Sequence, residues 1–140
     1  LRYANVYGPR QNPHGEAGVV SIFCEKLLDH QQPIINGDGS QTRDYIFVAD
    51  VVKANMLATQ KEVIGEFNIG TGIETNVNQI YNLISREISP DVKASYGQPR
   101  PGEQSRSALD YSLASAKLDW QPTVKLADGI GKTVKFFKNK

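Results

Sequence analysis

One cysteine, one methionine and one tryptophan are all that this 140-residue chain holds of those types. The lack of cysteine excludes the most. A lone Cys24 cannot close an internal disulfide and offers a single soft metal ligand, so a stapled secreted scaffold and a thiolate zinc site are both excluded. A reducing, cytoplasmic setting is the expectation. Long apolar runs are missing too: the longest, Tyr45 to Ala49, falls far short of the roughly 18 to 20 residues that a bilayer-spanning helix needs. No membrane partner is expected. Neither sign of charge dominates, since 16 Lys and Arg stand against 15 Asp and Glu for a net +1, and the lysines are scattered rather than striped. A nucleic-acid partner is therefore not expected. There is no N-x-S/T sequon, no initiator Met and no apolar leader at Leu1-Arg2-Tyr3-Ala4, which reads as a chain that begins mid-protein.

What is present is the material of one α/β folding unit, residues 1–140. Leu1 to Tyr7 is rich in aromatic and branched residues and stops at Gly8-Pro9, as a strand running into a loop does. Val19, Val20, Phe23, Leu27 and Leu28 recur at helical spacing and predict a helix from about Gly18 to Asp29. Pro33-Ile34-Ile35 followed by Asn36-Gly37 and Asp38-Gly39 predicts a hairpin-like reversal. Thr42 to Val48 reads as a strand, Asp50 as the N-cap of a helix from Val51 to Gln60, and Gly65 to Gly70 as a strand. Asn76-Val77-Asn78-Gln79 has capping-box spacing before a helix to about Ile88, and Val92 to Tyr96 suits one more short strand. Ser112 is expected to cap a short helix through Leu118, and Leu126 to Phe137 a last amphipathic one.

A self-sufficient active centre is not encoded. His14 and His30 have no ligand at metal spacing, so no metal site is expected, and Cys24 lies in a helical apolar pattern that suits a buried, inert thiol. Gly37-Asp38-Gly39 and Gly70-Thr71-Gly72 lack the third glycine of a dinucleotide loop. Asn5, Arg43 and Arg100 remain, amide and guanidinium donors next to residues that restrain the backbone. Two guanidinium forks from separate segments suit a pyrophosphate. The same residues also suit surface ion pairs, Arg43 with Asp44 and Arg100 with Glu103, and spacing alone leaves both readings open.

Leu1 to Gln11, Gly37 to Val51, Phe67-Asn68-Ile69-Gly70-Thr71-Gly72, Arg100-Pro101-Gly102-Glu103 and Leu118-Asp119-Trp120-Gln121-Pro122 together resemble the NAD-dependent epimerase/dehydratase family, the extended short-chain dehydrogenases. The likeness is strongest to its UDP-hexose 4-epimerase members. It covers the whole chain, in order, and corresponds to the C-terminal, substrate-binding lobe of that fold, with a remnant strand of the Rossmann sheet at the N-terminus. The family's Gly-rich NAD loop and its Tyr-x-x-x-Lys pair are absent: no tyrosine here has a lysine four residues later. No catalytic residue is expected in this chain, which by itself should be inactive.

The resemblance implies that Asn5, Arg43 and Arg100 hold the diphosphate of a UDP-sugar, that Val19 and Val20 open the helix bordering the nucleotide, and that Ile35 packs on the uracil face. Glu103 falls on the acid that binds ribose hydroxyls. Tyr3 and Val6 lie where the chain approaches the nicotinamide of NAD. Ser107 stands where a small residue leaves room for an N-acetyl group. The implied chemistry is interconversion of UDP-glucose and UDP-galactose by transient hydride transfer at C4. Another superfamily chemistry (dehydratase, decarboxylase or reductase) and a non-catalytic nucleotide-sugar-binding module are the alternatives. A homodimer is implied for an intact protein, and self-association is expected of this chain through the apolar Leu1–Tyr7 segment.

Overall fold

The computed structural model describes residues 1–14 and 18–140. Its strands are short: β1 Arg2–Tyr3, β2 Asn5–Tyr7, β3 Ile34–Asn36, β4 Thr42–Arg43, β5 Tyr45–Phe47, β6 Asn68–Ile69, β7 Thr75–Asn76 and β8 Ser95–Gly97. Helices α1 Val19–Leu28, α2 Val48–Gln60, α3 Val77–Ile88, α4 Ser112–Leu118 and α5 Leu126–Lys138 alternate with them. The strands pair in twos: β1 with β6, β2 with β5 and β3 with β8 are parallel, and β4 with β7 is antiparallel. The α/β expectation is met.

Strand β5 separates two apolar clusters, because successive side chains of a strand point to opposite faces. Tyr45 and Phe47 join the cluster built by the inner faces of α1, α3 and α5, whereas Ile46 joins the cluster around Trp120. In α1 the buried positions Val20, Phe23, Cys24 and Leu27 keep helical spacing, and Phe23 meets Tyr81 of α3 edge to face at 5.7 Å. Each fully buried side chain of this kind stabilises the fold by about 1.5–3 kcal/mol. Burial also pushes the Cys24 thiol up to about 12, so it stays protonated and inert. Trp120 is wholly buried and donates its indole N–H to the Asp50 carbonyl at 2.9 Å.

Local signals succeed where their partners are local. The capping box at Asn76 is complete: its side chain accepts from the Gln79 amide at 2.8 Å, and the Gln79 side chain accepts from the Asn76 amide at 2.9 Å. Other expectations need correction. The 36–39 segment does reverse, with Gly37 and Gly39 at φ +67° and +73°, but no hairpin forms; β3 pairs instead with β8, some sixty residues on. The Thr42–Val48 strand breaks at Asp44, whose carboxylate turns inward, and Val48 already belongs to α2. Asp50 is not an N-cap. Phe47 holds that position, and the Asp50 carboxylate accepts from the Thr123 amide at 3.1 Å, the Thr123 hydroxyl at 2.6 Å and the Val124 amide at 3.0 Å. Ser112 is likewise the first residue of α4 rather than its cap, and its own amide donates to the Asp110 carboxylate. The strand expected over Gly65–Gly70 shortens to Asn68–Ile69, and that over Val92–Tyr96 moves to Ser95–Gly97. Leu1 and Tyr3 are exposed, and no helix of the described residues is long and apolar enough to cross a membrane.

Candidate functional site

A cavity of about 560 Å³ opens where β2, β3, β4 and the start of α1 converge. Strand β2 contributes Asn5, Val6 and Tyr7; the parallel register Asn5↔Tyr45 brings Arg43 and Tyr45 beside them. Val19 and Val20 form one wall at the first turn of α1, an end with no side-chain cap among the described residues, where the amides of a helix start carry partial positive charge. Ile34, Ile35 and Asn36 of β3 form the opposite wall, and Arg100 with Glu103 closes the rim. A shallower cleft of about 410 Å³ continues past Arg100 and Glu103 to Asp38 and Arg106.

Eight of the residues singled out from the sequence thus meet at one hollow: Asn5, Val6, Val19, Val20, Ile35, Arg43, Arg100 and Glu103. Tyr3 and Ser107 stand outside it. Tyr3 donates its hydroxyl to Asn55 Oδ1 at 2.9 Å, beyond the cavity lining. Ser107 lies two residues past Ser105, whose carbonyl accepts from the Thr42 amide. Strand alternation qualifies the place of Ile35: its side chain is 1% exposed and belongs to the core, whereas Ile34, 64% exposed, presents the accessible apolar surface of β3.

The charged rim differs from both pairings read from spacing. Arg43 does not meet Asp44; its Nη2 lies 3.4 Å from Glu103 Oε1, and its Nη1 donates to the Thr42 carbonyl at 2.7 Å. Asp44 is buried and accepts from the Thr71 amide and hydroxyl, the Gly72 amide and the Leu109 amide. That carboxylate ties the segments of Thr71 and Leu109 to the residue next to Arg43, and it occupies the amides of Thr71 and Gly72. Pro101 and Gly102, the latter at φ +74°, turn the chain so that the Glu103 amide donates to the Arg100 carbonyl at 3.2 Å. Arg100 and Glu103 therefore sit at the two ends of one tight reversal.

Two tyrosines complete the interior. Burial pushes the Tyr45 phenol up to about 12, with Arg43 opposing and Glu103 reinforcing the shift. Burial, helped by Asp50 and Asp128, raises Tyr7 further. Neither serves as a base near neutral pH. Sequence reasoning did not single out Gln11, which donates Nε2 to the Val6 carbonyl at 2.9 Å while its buried Oε1 has no hydrogen-bond partner among the described residues. Its signal, an amide after a Gly-Pro loop, is too ordinary to find in advance. The arrangement offers fixed guanidinium and amide donors, a helix start and apolar walls, which together suit an anion carrying a flat or ring-shaped group.

Residues 1–133 match the family model described as GDP-mannose 4,6 dehydratase. Among curated relatives, the UDP-glucose 4-epimerase of Mycolicibacterium smegmatis is 51% identical over 138 residues, which are 98% of this chain and 44% of the relative. The crystal structure of UDP-glucose 4-epimerase with UDP-glucose from Thermotoga maritima superposes with a TM-score of 0.96 at 50% identity, over 99% of this chain and 45% of that one. The Thermus thermophilus UDP-glucose 4-epimerase in complex with NAD gives a TM-score of 0.88 at 37% identity, again over 99% and 45%. The chain spans somewhat under half the length of the relatives it matches. It belongs to the NAD-dependent epimerase/dehydratase family of nucleotide-sugar enzymes.

Proposed function

We propose that this chain is the nucleotide-sugar-holding part of an NAD-dependent UDP-glucose 4-epimerase. The observation that carries the reading is the meeting of Asn5, Arg43 and Arg100, from three distant segments, around one hollow of diphosphate-plus-ring size. Arg43 and Arg100 would grip the diphosphate from its two sides, Asn5 and the first turn of α1 would supply neutral donors, and Ile34 would face the base. Glu103 would take the ribose hydroxyls. Because these groups hold a part of the substrate that does not react, their contacts are nearly uniform along the reaction path and act on KM more than on kcat.

NAD belongs to the family, but the described residues of this chain do not form a cradle for its pyrophosphate. The amides of Thr71 and Gly72 are held by Asp44, and a side chain at Gly39 would collide with Asn78, so that glycine serves a turn packed on α3. Tyr3 and Val6 would at most border the nicotinamide, and no chemical step is assigned to this chain. It is accordingly proposed to be inactive alone, and the whole protein to be an isomerase that works as a homodimer. With Ser107 off the cavity wall, acceptance of N-acetyl sugars has no support from this site.

Calorimetry with UDP tests the reading. The chain should bind UDP saturably, and Arg43→Ala or Arg100→Ala should each weaken binding by about 1.5–3 kcal/mol, the range for a hydrogen bond to a charged group. Affinity unchanged by both substitutions would overturn the assignment.

A further inference from the structure

Two arginine–glutamate pairs flank β4, and they are built differently. Arg106 meets Glu74 as a two-point fork, Nη2 to Oε1 at 2.7 Å and Nε to Oε2 at 3.0 Å, and Thr42 donates a third bond to the same carboxylate at 2.5 Å. Among the described residues Arg43 meets Glu103 through one contact of 3.4 Å, although its side chain is only 17% exposed and Glu103's only 30%. A guanidinium that far removed from water calls for a counter-charge, and a single long contact satisfies that need weakly. Glu103 also follows a proline–glycine reversal that projects outward, so that a Cβ built on Gly102 would meet nothing within 4 Å, whereas two residues later the chain is fastened by Ser105 to Thr42. The carboxylate is thus carried on a short segment between an outward-projecting turn and a fixed point.

We propose that Glu103 is an internal competitor for the anion site: in the empty cavity it serves as the counter-ion of Arg43, and a bound diphosphate must displace it. Resting on the nucleotide reading above, this gives Glu103 two partners in turn. The diphosphate takes over Arg43, and the released carboxylate becomes available to the ribose diol. The exchange makes the site select for charge. A diphosphate brings more negative charge than Glu103 removes, while a singly charged anion merely replaces one carboxylate and gains little.

Inorganic pyrophosphate, which has no ribose, separates the two roles. Titrated by calorimetry into the native chain and into Glu103→Gln, it should bind the variant about three- to tenfold more tightly, because the competing charge is gone while the turn is kept. In the same variant UDP should gain less, since the ribose contact is weakened as the phosphate contact is freed. The gain for pyrophosphate must vanish when Arg43→Ala is added to Glu103→Gln. Pyrophosphate affinity that is equal or weaker in Glu103→Gln, or pyrophosphate binding absent from every form, overturns the proposal. If UDP fails to bind the native chain while pyrophosphate still tightens in Glu103→Gln, the nucleotide reading falls and the competitor stands. UDP binding to the native chain with no tightening of pyrophosphate gives the reverse. Glu103→Asp, too short to span the 3.4 Å contact, carries the same expectations should the glutamine variant fail to fold by circular dichroism.

Discussion

Asp44 and Arg43 are neighbours in sequence and opposites in how their charges are treated. The carboxylate of Asp44 faces inward onto the amides of Thr71, Gly72 and Leu109 and the hydroxyl of Thr71, at 2.6 to 3.2 Å. On the other side of the same backbone, the Arg43 guanidinium meets one carboxylate oxygen at 3.4 Å and its neighbour's carbonyl. One group is saturated and the other is underfilled. The donors gathered around Asp44, successive amides with a threonine hydroxyl, are of the kind that elsewhere receive a ligand anion; here the protein fills the place with its own side chain. Asp50 repeats the device with Thr123 and Val124. Where the chain supplies its own anion the geometry is closed and serves the fold, and where the pairing is loose and borders a cavity it is open to a ligand.

Removing a closed carboxylate should cost most. Asp44→Ala leaves amides from two separate segments and a hydroxyl without their acceptor, which at 1–3 kcal/mol for each buried orphan, partly recovered by water, predicts a loss of about 4 kcal/mol in chemical denaturation. It should also lower UDP affinity, because Asp44 anchors the backbone next to Arg43. Asp50→Ala should cost about 3 kcal/mol by the same reasoning, since it strands donors from Thr123 and Val124 alone. Its folded fraction should bind UDP as the native chain does. This difference is the sharper part of the comparison. Equal effects of the two substitutions on UDP binding would show that Asp44 stabilises the fold without positioning the site.

Much of the cavity was legible in the sequence because its residues carry chemistry of their own: Arg43, Arg100 and Asn5 attract notice as donors on restrained segments whatever they touch. The partners were not legible. Asp50 sits just before a helical run and reads as a cap, yet its acceptor role is fixed by residues more than seventy positions away. Adjacency makes an Arg43–Asp44 ion pair one of two open readings, and alternation along the chain sends the two side chains to opposite sides. Ile35 shows the same limit, since three residues of strand cannot say which face is core until β8 is known to lie alongside. Asn76 and Cys24 are legible because the capping box closes within four residues and a helical apolar stripe is carried by its own spacing.

The smallest expected effect concerns the tight fork at Glu74, which is closed like Asp44 but lies at the surface. Hydrogen bonds from Arg106 first, then Thr42, hold the Glu74 carboxyl down at about 2, from an ordinary value of 4.5. A carboxyl lowered in the folded state favours folding above its ordinary value, and that contribution fades as pH falls from there toward about 2. Solvent screens such a pair, so the change in global stability should be slight and the titration itself is the better readout. Carbon-detected NMR of the Glu74 carboxyl should show a midpoint near 2 in the native chain, moving back toward 4.5 in Arg106→Ala while the Thr42 bond retains part of the shift. A native midpoint already close to 4.5 would mean that the fork is open in solution. The contrast between a fastened pair and the loose pair at Arg43 would then lose its fastened member, and Glu103 would be set apart by its 3.4 Å contact and by the turn at Gly102 that carries it.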